Sequence, residues 1–376
     1  MASDVLSFLC KHMSDMINDV QMLVKAESPS TDRALLEVAA RLVQKMAEDT
    51  GMTTQVFPQE QAGPHIRATL PGTLSDRPIL VLTHYDTVWP AGTLSHMPCQ
   101  LESQILRGPG VFDMKTGLVQ ALWAIRAIKV LGLVHRTIIF LSTSDEEVGS
   151  ISSRALIESE ACKAATVLVF EASERGSLKT ARKGTLLYHL QTYGKAAHAG
   201  LNPEQGVSAI NELVDQLAII RQWANPQLGT TINAGVIAGG TRPNVVAAEA
   251  AAWIDIRVSS QAETQRIVEK MAHLHPVNPL AQLAIQGGLN RPPLERTAAV
   301  ARLFDTACQL ARPLGMELSE CAVGGASDGN FCTPLGIPVL DGLGAVGNGA
   351  HAAHEWVDTS VMPHRAALTA ELLSQL

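Results

Sequence analysis

Apolar residues recur at helical spacing in several segments of the chain, with polar residues at the positions between them. These segments are residues 32–48, 116–131, 206–224, 261–274, 297–311 and 359–376. Short runs rich in β-branched and other apolar residues lie between the first of them: TTQVF, HIRATL, PILVLT, TIIFLS and TVLVF. This alternation predicts an α/β domain with a mostly parallel sheet and helices on both faces.

The pattern changes after about Gly184, where longer strand-like segments alternate with two helices in the order βαββαβ. That order is typical of a small α+β domain. Two adjacent prolines in the segment NRPPLERT, residues 290–297, disfavour helix and strand and indicate the linker back to the larger domain. We therefore predict one domain of residues 1–183 and 294–376, with an inserted α+β domain of residues 184–293.

The composition narrows the class of protein. Hydrophobic residues make up 46% and charged residues 17% of the 376, and the net charge of −7 disfavours nucleic acid as a partner. The six cysteines form no CxxC pair, which argues against a disulfide framework and a thiolate zinc site. The N-terminal segment lacks a signal-peptide layout, and no segment stays apolar long enough to cross a bilayer. We expect a cytoplasmic protein without a membrane partner.

Polar residues with metal-binding side chains follow the apolar runs of the predicted parallel sheet. In such sheets, ligands bind beyond the carboxyl ends of the strands. The residues at these positions are His84 and Asp86 after PILVLT, Asp145, Glu146 and Glu147 after TIIFLST, and Glu171 after TVLVF. The segments GPGVFDMKTG and NGAHAAHEWVD add Asp113, His351 and His354. Several carboxylates and two histidines at one sheet edge predict a site for a pair of zinc or similar divalent ions.

Seven motifs resemble one known family. THYDTVW, GPGVFDMKTG, SDEEVGS, FEAS, GKAAHAG, GGASDGN and GAHAAHEWVD appear in the order found in the dizinc exopeptidases and deacylases. This family includes carboxypeptidase G, acetylornithine deacetylase and succinyl-diaminopimelate desuccinylase. The resemblance covers roughly residues 80–360. It implies that residues 1–183 and 294–376 form a catalytic domain, and that residues 184–293 form a dimerisation or lid domain.

The resemblance also implies roles for the residues of the predicted metal site. Asp113 would bridge two metal ions, most often zinc, with cobalt or manganese as alternatives. His84 and Glu171 would complete the site of one ion, and Glu147 and His351 that of the other. Asp86 would orient the His84 ring, and Glu146 would act as the general base toward a water that bridges the two ions. The family spacing selects His351 rather than His354.

Matching positions in the inserted domain extend the resemblance to the substrate. It implies that His198 lies near the oxyanion, in the active site of a second subunit of a homodimer. It places Asn244 and Arg257 near a substrate carboxylate, with Lys179 as a further candidate. For Arg257, an ion pair on the face of its strand is the alternative interpretation. A glutamate at position 171 resembles the carboxypeptidase and deacylase branch of the family, which favours a substrate with a free carboxylate.

The expected activity is hydrolysis of an amide bond adjacent to a free carboxylate, as in a glutamate carboxypeptidase. The alternative is an N-acyl-amino-acid deacylase, and the substrate would be an N-acyl amino acid or a short peptide.

Two short motifs and one inactive alternative compete with this interpretation. GASDG fits the G-x-S-x-G elbow of serine hydrolases, with Ser327 as nucleophile and Asp341 and His351 following in the expected order. Prolines soon after Ser327 disfavour the helix that an elbow requires.

GLGAVG fits a dinucleotide-binding loop, but too little chain follows it to build that fold. A non-catalytic relative is disfavoured because every expected ligand and the base are present.

Overall fold

The structure is a computed structural model, and it describes residues 2–376. The α-helices are α1 (Ala2–Lys11), α2 (Met13–Lys25), α3 (Arg33–Asp49), α4 (Thr116–Leu131), α5 (Arg154–Lys163), α6 (Ala209–Arg221), α7 (Gln261–Ala272), α8 (Ala298–Ala311) and α9 (Met362–Gln375). The strands are β1 (Thr53–Phe57), β2 (His65–Leu70), β3 (Ile79–His84), β4 (Gln100–Glu102), β5 (Ile105–Arg107), β6 (Ile138–Thr143), β7 (Thr166–Val169), β8 (Leu178–Arg182), β9 (Gly184–Tyr193), β10 (Thr231–Gly239), β11 (Glu249–Val258), β12 (Gln282–Arg291), β13 (Glu320–Val323), β14 (Val339–Leu340), β15 (Gly347–Asn348) and β16 (Trp356–Asp358).

The chain folds into two compact units. The larger unit comprises Met1–Ala181, Arg296–Ala322 and Ser327–Leu376, and the smaller unit comprises Arg182–Glu295 and Val323–Ala326. Residues 323–326 fall within the predicted catalytic domain of residues 1–183 and 294–376, but this short segment belongs to the smaller unit. Its main chain is bound there, because Lys183 donates its backbone N–H to the Val323 carbonyl at 3.1 Å.

The larger unit is built on a six-stranded sheet in the order β1-β2-β6-β3-β7-β14. Strands β6, β3, β7 and β14 are parallel, whereas β2 pairs antiparallel with β6 and β1 antiparallel with β2. Every residue of β3 and β6 is buried, as expected for central strands covered on both faces. The predicted α/β class is confirmed. The antiparallel strands β1 and β2 at one side of the sheet were not indicated by the apolar pattern.

The smaller unit is a four-stranded antiparallel sheet in the order β10-β11-β9-β12. Its elements follow the chain order βαββαβ, which confirms the predicted class of this segment. Alternate residues of β11 are buried beneath α6 and α7, so one face of the sheet forms the core. Strand β12 runs to Arg291, so the prolines of the predicted linker begin only after the strand ends.

The apolar pattern did not predict three of the helices, α1, α2 and α5. α1 and α2 bury one narrow apolar stripe each and carry charged residues between the stripe positions. α5 buries little apolar surface along its length. Within residues 2–376, no helix combines the length and the apolar character needed to cross a membrane.

Candidate metal centre

The centre lies at the carboxyl ends of three neighbouring parallel strands of the larger unit. His84 is the last residue of β3 and pairs in register with Thr143, the last residue of β6. Glu146 and Glu147 begin a 3₁₀ turn three residues beyond β6, and Glu171 follows β7 closely. Because β6, β3 and β7 are adjacent, their ends bring these side chains to one edge of the sheet.

Two loops complete the cluster. Asp113 lies in the irregular turn Val111–Lys115 that leads into α4, and its peptide bond to Met114 is cis. His351 lies in the loop between β15 and β16 and has a positive φ of 61°.

The carboxylate of Asp113 stands between the two histidines. Its Oδ1 lies 3.4 Å from Nε2 of His84, and its Oδ2 lies 3.4 Å from Nε2 of His351. Glu171 Oε1 is 3.5 Å from Nε2 of His84, and Glu147 Oε2 is 3.1 Å from Nε2 of His351. The cluster therefore divides into two histidine–carboxylate groups that share Asp113.

Ligand atoms of two overlapping triads lie within 4.8 Å of one another, His84 with Asp113 and Glu147, and His84 with Glu146 and Glu171. Glu146 therefore stands close enough to the cluster either to bind an ion or to reach a water bound there.

The buried ring of His84 is the clearest indication that a cation belongs here. Its Nδ1 lies 3.1 Å from the backbone carbonyl of Asp86, to which a protonated Nδ1 donates, and this leaves the lone pair on Nε2. Nε2 is buried and has no hydrogen-bond partner, although oxygens of Asp113 and Glu171 lie nearby. A lone pair that faces two carboxylates fits a metal ion, since an ion would bind all three groups. The donor set is imidazole and carboxylate oxygen, which suits zinc or a similar divalent ion.

The pKa values of the cluster also indicate that the site favours a bound cation. Asp113 and Glu147 raise the pKa of His351 to about 10. Burial raises the pKa of Glu147 to about 7, even though its contact with His351 acts in the opposite direction. Burial lowers the pKa of His84, but the surrounding carboxylates outweigh it and raise this pKa well above its ordinary value. Without a bound cation, the carboxylates can be balanced only by bound protons.

Asp86 is fully buried and binds the loop that carries the two glutamates. Its carboxylate accepts the backbone N–H groups of Glu146 and Glu147, each at 3.2 Å, and the Ser30 hydroxyl at 2.7 Å. Its Oδ1 also lies 3.4 Å from Nδ1 of His84. Asp86 therefore contacts both the histidine and the glutamate loop.

Glu355 is a functional residue that the sequence does not reveal, although it lies in the motif GAHAAHEWVD. Its buried carboxylate accepts the backbone N–H groups of Gly110, Phe112 and Asp113 at 2.8–3.0 Å. It also accepts the indole N–H of Trp89 at 2.9 Å. Burial raises the pKa of Glu355, and the N–H donors act against that rise. Glu355 thus shapes the turn that presents Asp113.

Several neighbouring residues support the same loops. Asp145 is buried and accepts the backbone N–H and the hydroxyl of Ser152, both at 2.7 Å. Lys115 is buried and donates to the carbonyls of Leu23 and Ala26 at 2.8 and 3.1 Å. At Gly117, a Cβ atom would lie 2.0 Å from the Phe170 carbonyl oxygen, so only glycine lets α4 approach the strand end before Glu171.

Ser327 has a structural role that argues against a serine nucleophile. It is fully buried, and its hydroxyl donates to Asp341 at 2.6 Å. It also precedes the 3₁₀ helix Asp328–Leu335 and forms a capping box with Asn330.

Lys179 forms two backbone hydrogen bonds with Asp341. His354 is exposed.

The remaining predicted residues belong to the smaller unit. His198 is exposed, and its Nδ1 accepts the backbone N–H groups of Gly200 and Leu201, both at 3.1 Å. Asn244 is exposed, and its backbone carbonyl accepts the backbone N–H of Ala199. Arg257 is held by two hydrogen bonds of 2.7 Å to Asp255 and one of 2.9 Å to Thr185. The strand-face ion pair that the sequence left open for Arg257 is therefore present.

Comparison with known proteins identifies the family. A sequence profile described as peptidase family M20/M25/M40 matches residues 80–375. The chain belongs to peptidase family M20. The resemblance that the seven motifs indicated is confirmed, and the protein is an M20 hydrolase. Members of this family are metal-dependent, typically on zinc.

Two M20 relatives cover most of the chain. Carboxypeptidase G2 of Pseudomonas sp. (strain RS-16) is 28% identical over 372 residues, which span 96% of this chain and 89% of that protein. Succinyl-diaminopimelate desuccinylase of Halorhodospira halophila is 26% identical over 380 residues, which span 91% and 98%. Aminopeptidase PepT from Bacillus cereus shares the fold, with a TM-score of 0.80, 24% identity and coverage of 96% and 98%.

Proposed function

We propose that this M20 protein is a two-metal hydrolase that cleaves an amide bond adjacent to a free carboxylate, with glutamate carboxypeptidase-like specificity. The observation that carries the proposal is the position of Asp113, whose two oxygens each lie 3.4 Å from a different histidine. A carboxylate placed in this way can bridge two ions. His84 and Glu171 would complete one site, and Glu147 and His351 the other.

The chemistry of the ligands supports a pair of zinc ions, with cobalt or manganese as alternatives for the same donors. When bound, such ions polarise the scissile carbonyl and lower the pKa of the attacking water. The chain holds the ligands in place through buried partners. Asp86 would fix the His84 ring, since it lies beside Nδ1 while Nε2 faces the other ligands.

Glu146 is the proposed general base. It would accept a proton from the attacking water and transfer that proton to the departing nitrogen. Its carboxylate lies near His84 and Glu171, and its backbone N–H is bound by Asp86, so its position is restrained. Glu147, the next residue, is closest to His351 and is therefore the better candidate for a ligand.

The substrate class rests on the relatives and on charge. A relative that spans 96% of this chain is named a carboxypeptidase, and Arg257, Asn244 and Lys179 are our candidates for binding a substrate carboxylate. A second candidate activity is deacylation of an N-acyl amino acid. The desuccinylase relative favours it, because that protein matches over nearly its whole length.

We also infer a homodimer formed through the smaller unit, in which His198 acts in the partner's active site. Strand β10 is an edge of its sheet, exposed along nearly its whole length, with Val236 and Ile237 at 56% and 60% exposure. Such an edge is open to pairing with a twofold mate. Because Nδ1 of His198 accepts two backbone N–H groups, the proton of the neutral ring is on Nε2, where it could be donated to an oxyanion.

A substrate panel tests the proposed function. The metal-free protein is reconstituted with zinc, cobalt or manganese and assayed for amine release from N-acyl and N-aroyl amino acids, their amidated analogues and short peptides. The proposal predicts turnover of substrates with a free carboxylate and much weaker turnover of the amides. Equal turnover of acids and amides would contradict the proposed specificity, and no turnover with any of the three metals would contradict the proposed activity.

A further inference from the structure

Asp328 is a buried carboxylate that binds both ends of the loop carrying Glu146 and Glu147. Its Oδ2 accepts the Thr143 hydroxyl at 3.1 Å, and its Oδ1 accepts the Ser150 hydroxyl. Thr143 is the last residue of β6, and Ser150 follows the 3₁₀ turn. All three of these residues are buried, and Asp328 is 3% exposed. One side chain thus closes the loop of residues 144–149 at its base.

The position of Asp328 is itself fixed. It begins the 3₁₀ helix Asp328–Leu335, whose N-cap Ser327 donates its backbone N–H to Asn330 at 2.9 Å. The Ser327 hydroxyl donates to Asp341 at 2.6 Å. Asp341 directly follows β14, which pairs with β7 in the central sheet. Asp328 therefore connects the glutamate loop to the framework of the larger unit.

The conformation of the loop requires such a support. Ser150 has a φ of 57°, in the left-handed region that residues other than glycine rarely occupy. Its backbone N–H donates to the Asp145 carbonyl at 2.7 Å, which closes the turn from inside. Asp86 binds the N–H groups of the two glutamates within the loop. Asp328 binds the two residues at the base of the loop.

We propose that Asp328 is a positioning residue, which fixes the loop in the geometry where Glu147 faces His351 and Glu146 faces His84. The catalytic consequence rests on the proposed function. The effects on the loop and on zinc binding do not depend on any substrate. A carboxylate can accept both hydroxyls at once, whereas an asparagine side chain has one carbonyl oxygen for two donors. Asp328→Asn should therefore loosen one end of the loop while keeping the side-chain volume.

Hydrogen exchange of the full-length, metal-free protein measures the loop directly. In Asp328→Asn, the amides of residues 144–150 should exchange about tenfold faster, the factor that corresponds to the loss of one hydrogen bond to a charged group. Asp19→Asn is the matched control, because Asp19 is a carboxylate of the same unit that accepts the Trp123 indole N–H at 2.7 Å. It should leave residues 144–150 unchanged.

Zinc affinity, measured by competition with a chelator, gives the second readout. Asp328→Asn should weaken zinc binding about 10-fold, the lower end of the loss usual for direct partners of metal ligands, because Asp328 acts on Glu147 through the loop. Ser150→Ala should cause part of the same loss and add little to Asp328→Asn, because both changes break one interaction. Ser150→Ala also serves alone if Asp328→Asn does not fold.

The proposal is overturned if exchange in residues 144–150 stays at the wild-type rate, if exchange rises equally throughout the larger unit, or if zinc affinity is unchanged. A wild-type protein that hydrolyses nothing in the substrate panel would contradict the proposed function instead. The exchange and zinc data would still decide the role of Asp328.

Discussion

The carboxylate of Glu355 accepts the backbone N–H of Asp113 at 3.0 Å, so a residue late in the chain shapes the turn that presents the central carboxylate of the site. The same carboxylate accepts two further backbone N–H groups and the Trp89 indole. Removing its charge would leave buried donors without a full set of acceptors.

Glu355→Gln should therefore lower both stability and metal binding. We expect a loss of about 2–4 kcal/mol in the unfolding free energy of the metal-free protein, since each unsatisfied buried group costs about 1–3 kcal/mol. Urea denaturation measures the loss, and zinc titration should show affinity about 10- to 100-fold weaker. Glu48→Gln, an exposed carboxylate with two side-chain hydrogen bonds, is the control. Equal stability of the two variants would contradict the role of Glu355.

The buried Lys115 predicts a rise in stability with pH. Burial lowers its pKa from 10.5 to about 8. Between these values the unfolded chain binds more protons than the folded chain, so the unfolding free energy contributed by Lys115 increases with pH. The unfolding free energy of the wild type minus that of Lys115→Met should rise by about 2 kcal/mol from pH 8 to pH 10 in the metal-free protein. A difference that is constant or falls with pH would contradict the lowered pKa of the buried Lys115.

The convergence of three proposed metal ligands could be predicted because each of them follows a strand of the parallel sheet. Parallel strands end at one edge of the sheet, so His84, Glu147 and Glu171 had to converge whatever the details of packing. The supporting carboxylates could not be predicted in this way. Glu355 and Asp328 bind partners more than 170 residues away in sequence, and no local pattern reveals such a contact.

Other features were limited by local ambiguity. The apolar runs indicate strands but not their direction, so the antiparallel pairing of β2 with β6 was not foreseen. The spacing of Asp255 and Arg257 places both on one face of β11 and was compatible with an ion pair as well as with substrate binding.

Arg257 now allows a sharp test of substrate selectivity. If it binds the substrate carboxylate, Arg257→Ala should reduce kcat/KM for acid substrates by about 100-fold or more, while amidated analogues change little. Asp255→Ala is the matched variant, because it breaks the same ion pair but keeps the arginine. Equal losses for acids and amides in Arg257→Ala, reproduced by Asp255→Ala, would assign Arg257 to the ion pair alone.

Subunit complementation tests whether His198 acts in the partner's site. Inactive His198→Ala and inactive Glu146→Ala are mixed and allowed to exchange subunits. A heterodimer then has one site with both an intact base and an intact histidine, so at most about a quarter of the wild-type activity should return. A mixture of Glu146→Ala with Glu147→Ala should remain inactive and is the control. If exchange is verified and the first mixture stays inactive, His198 does not act across the dimer.

The division of roles between Glu146 and Glu147 is the central claim, because both residues lie within reach of His84. The most direct test is the metal content of Glu146→Gln and Glu147→Gln, purified in parallel and assayed for turnover. We expect Glu146→Gln to retain two ions per chain while turnover falls by about 10²- to 10⁴-fold, the usual contribution of a general base. Glu147→Gln should lose metal. Equal metal loss in both variants, or full retention in both, would contradict the assignment of Glu146 as base and Glu147 as ligand.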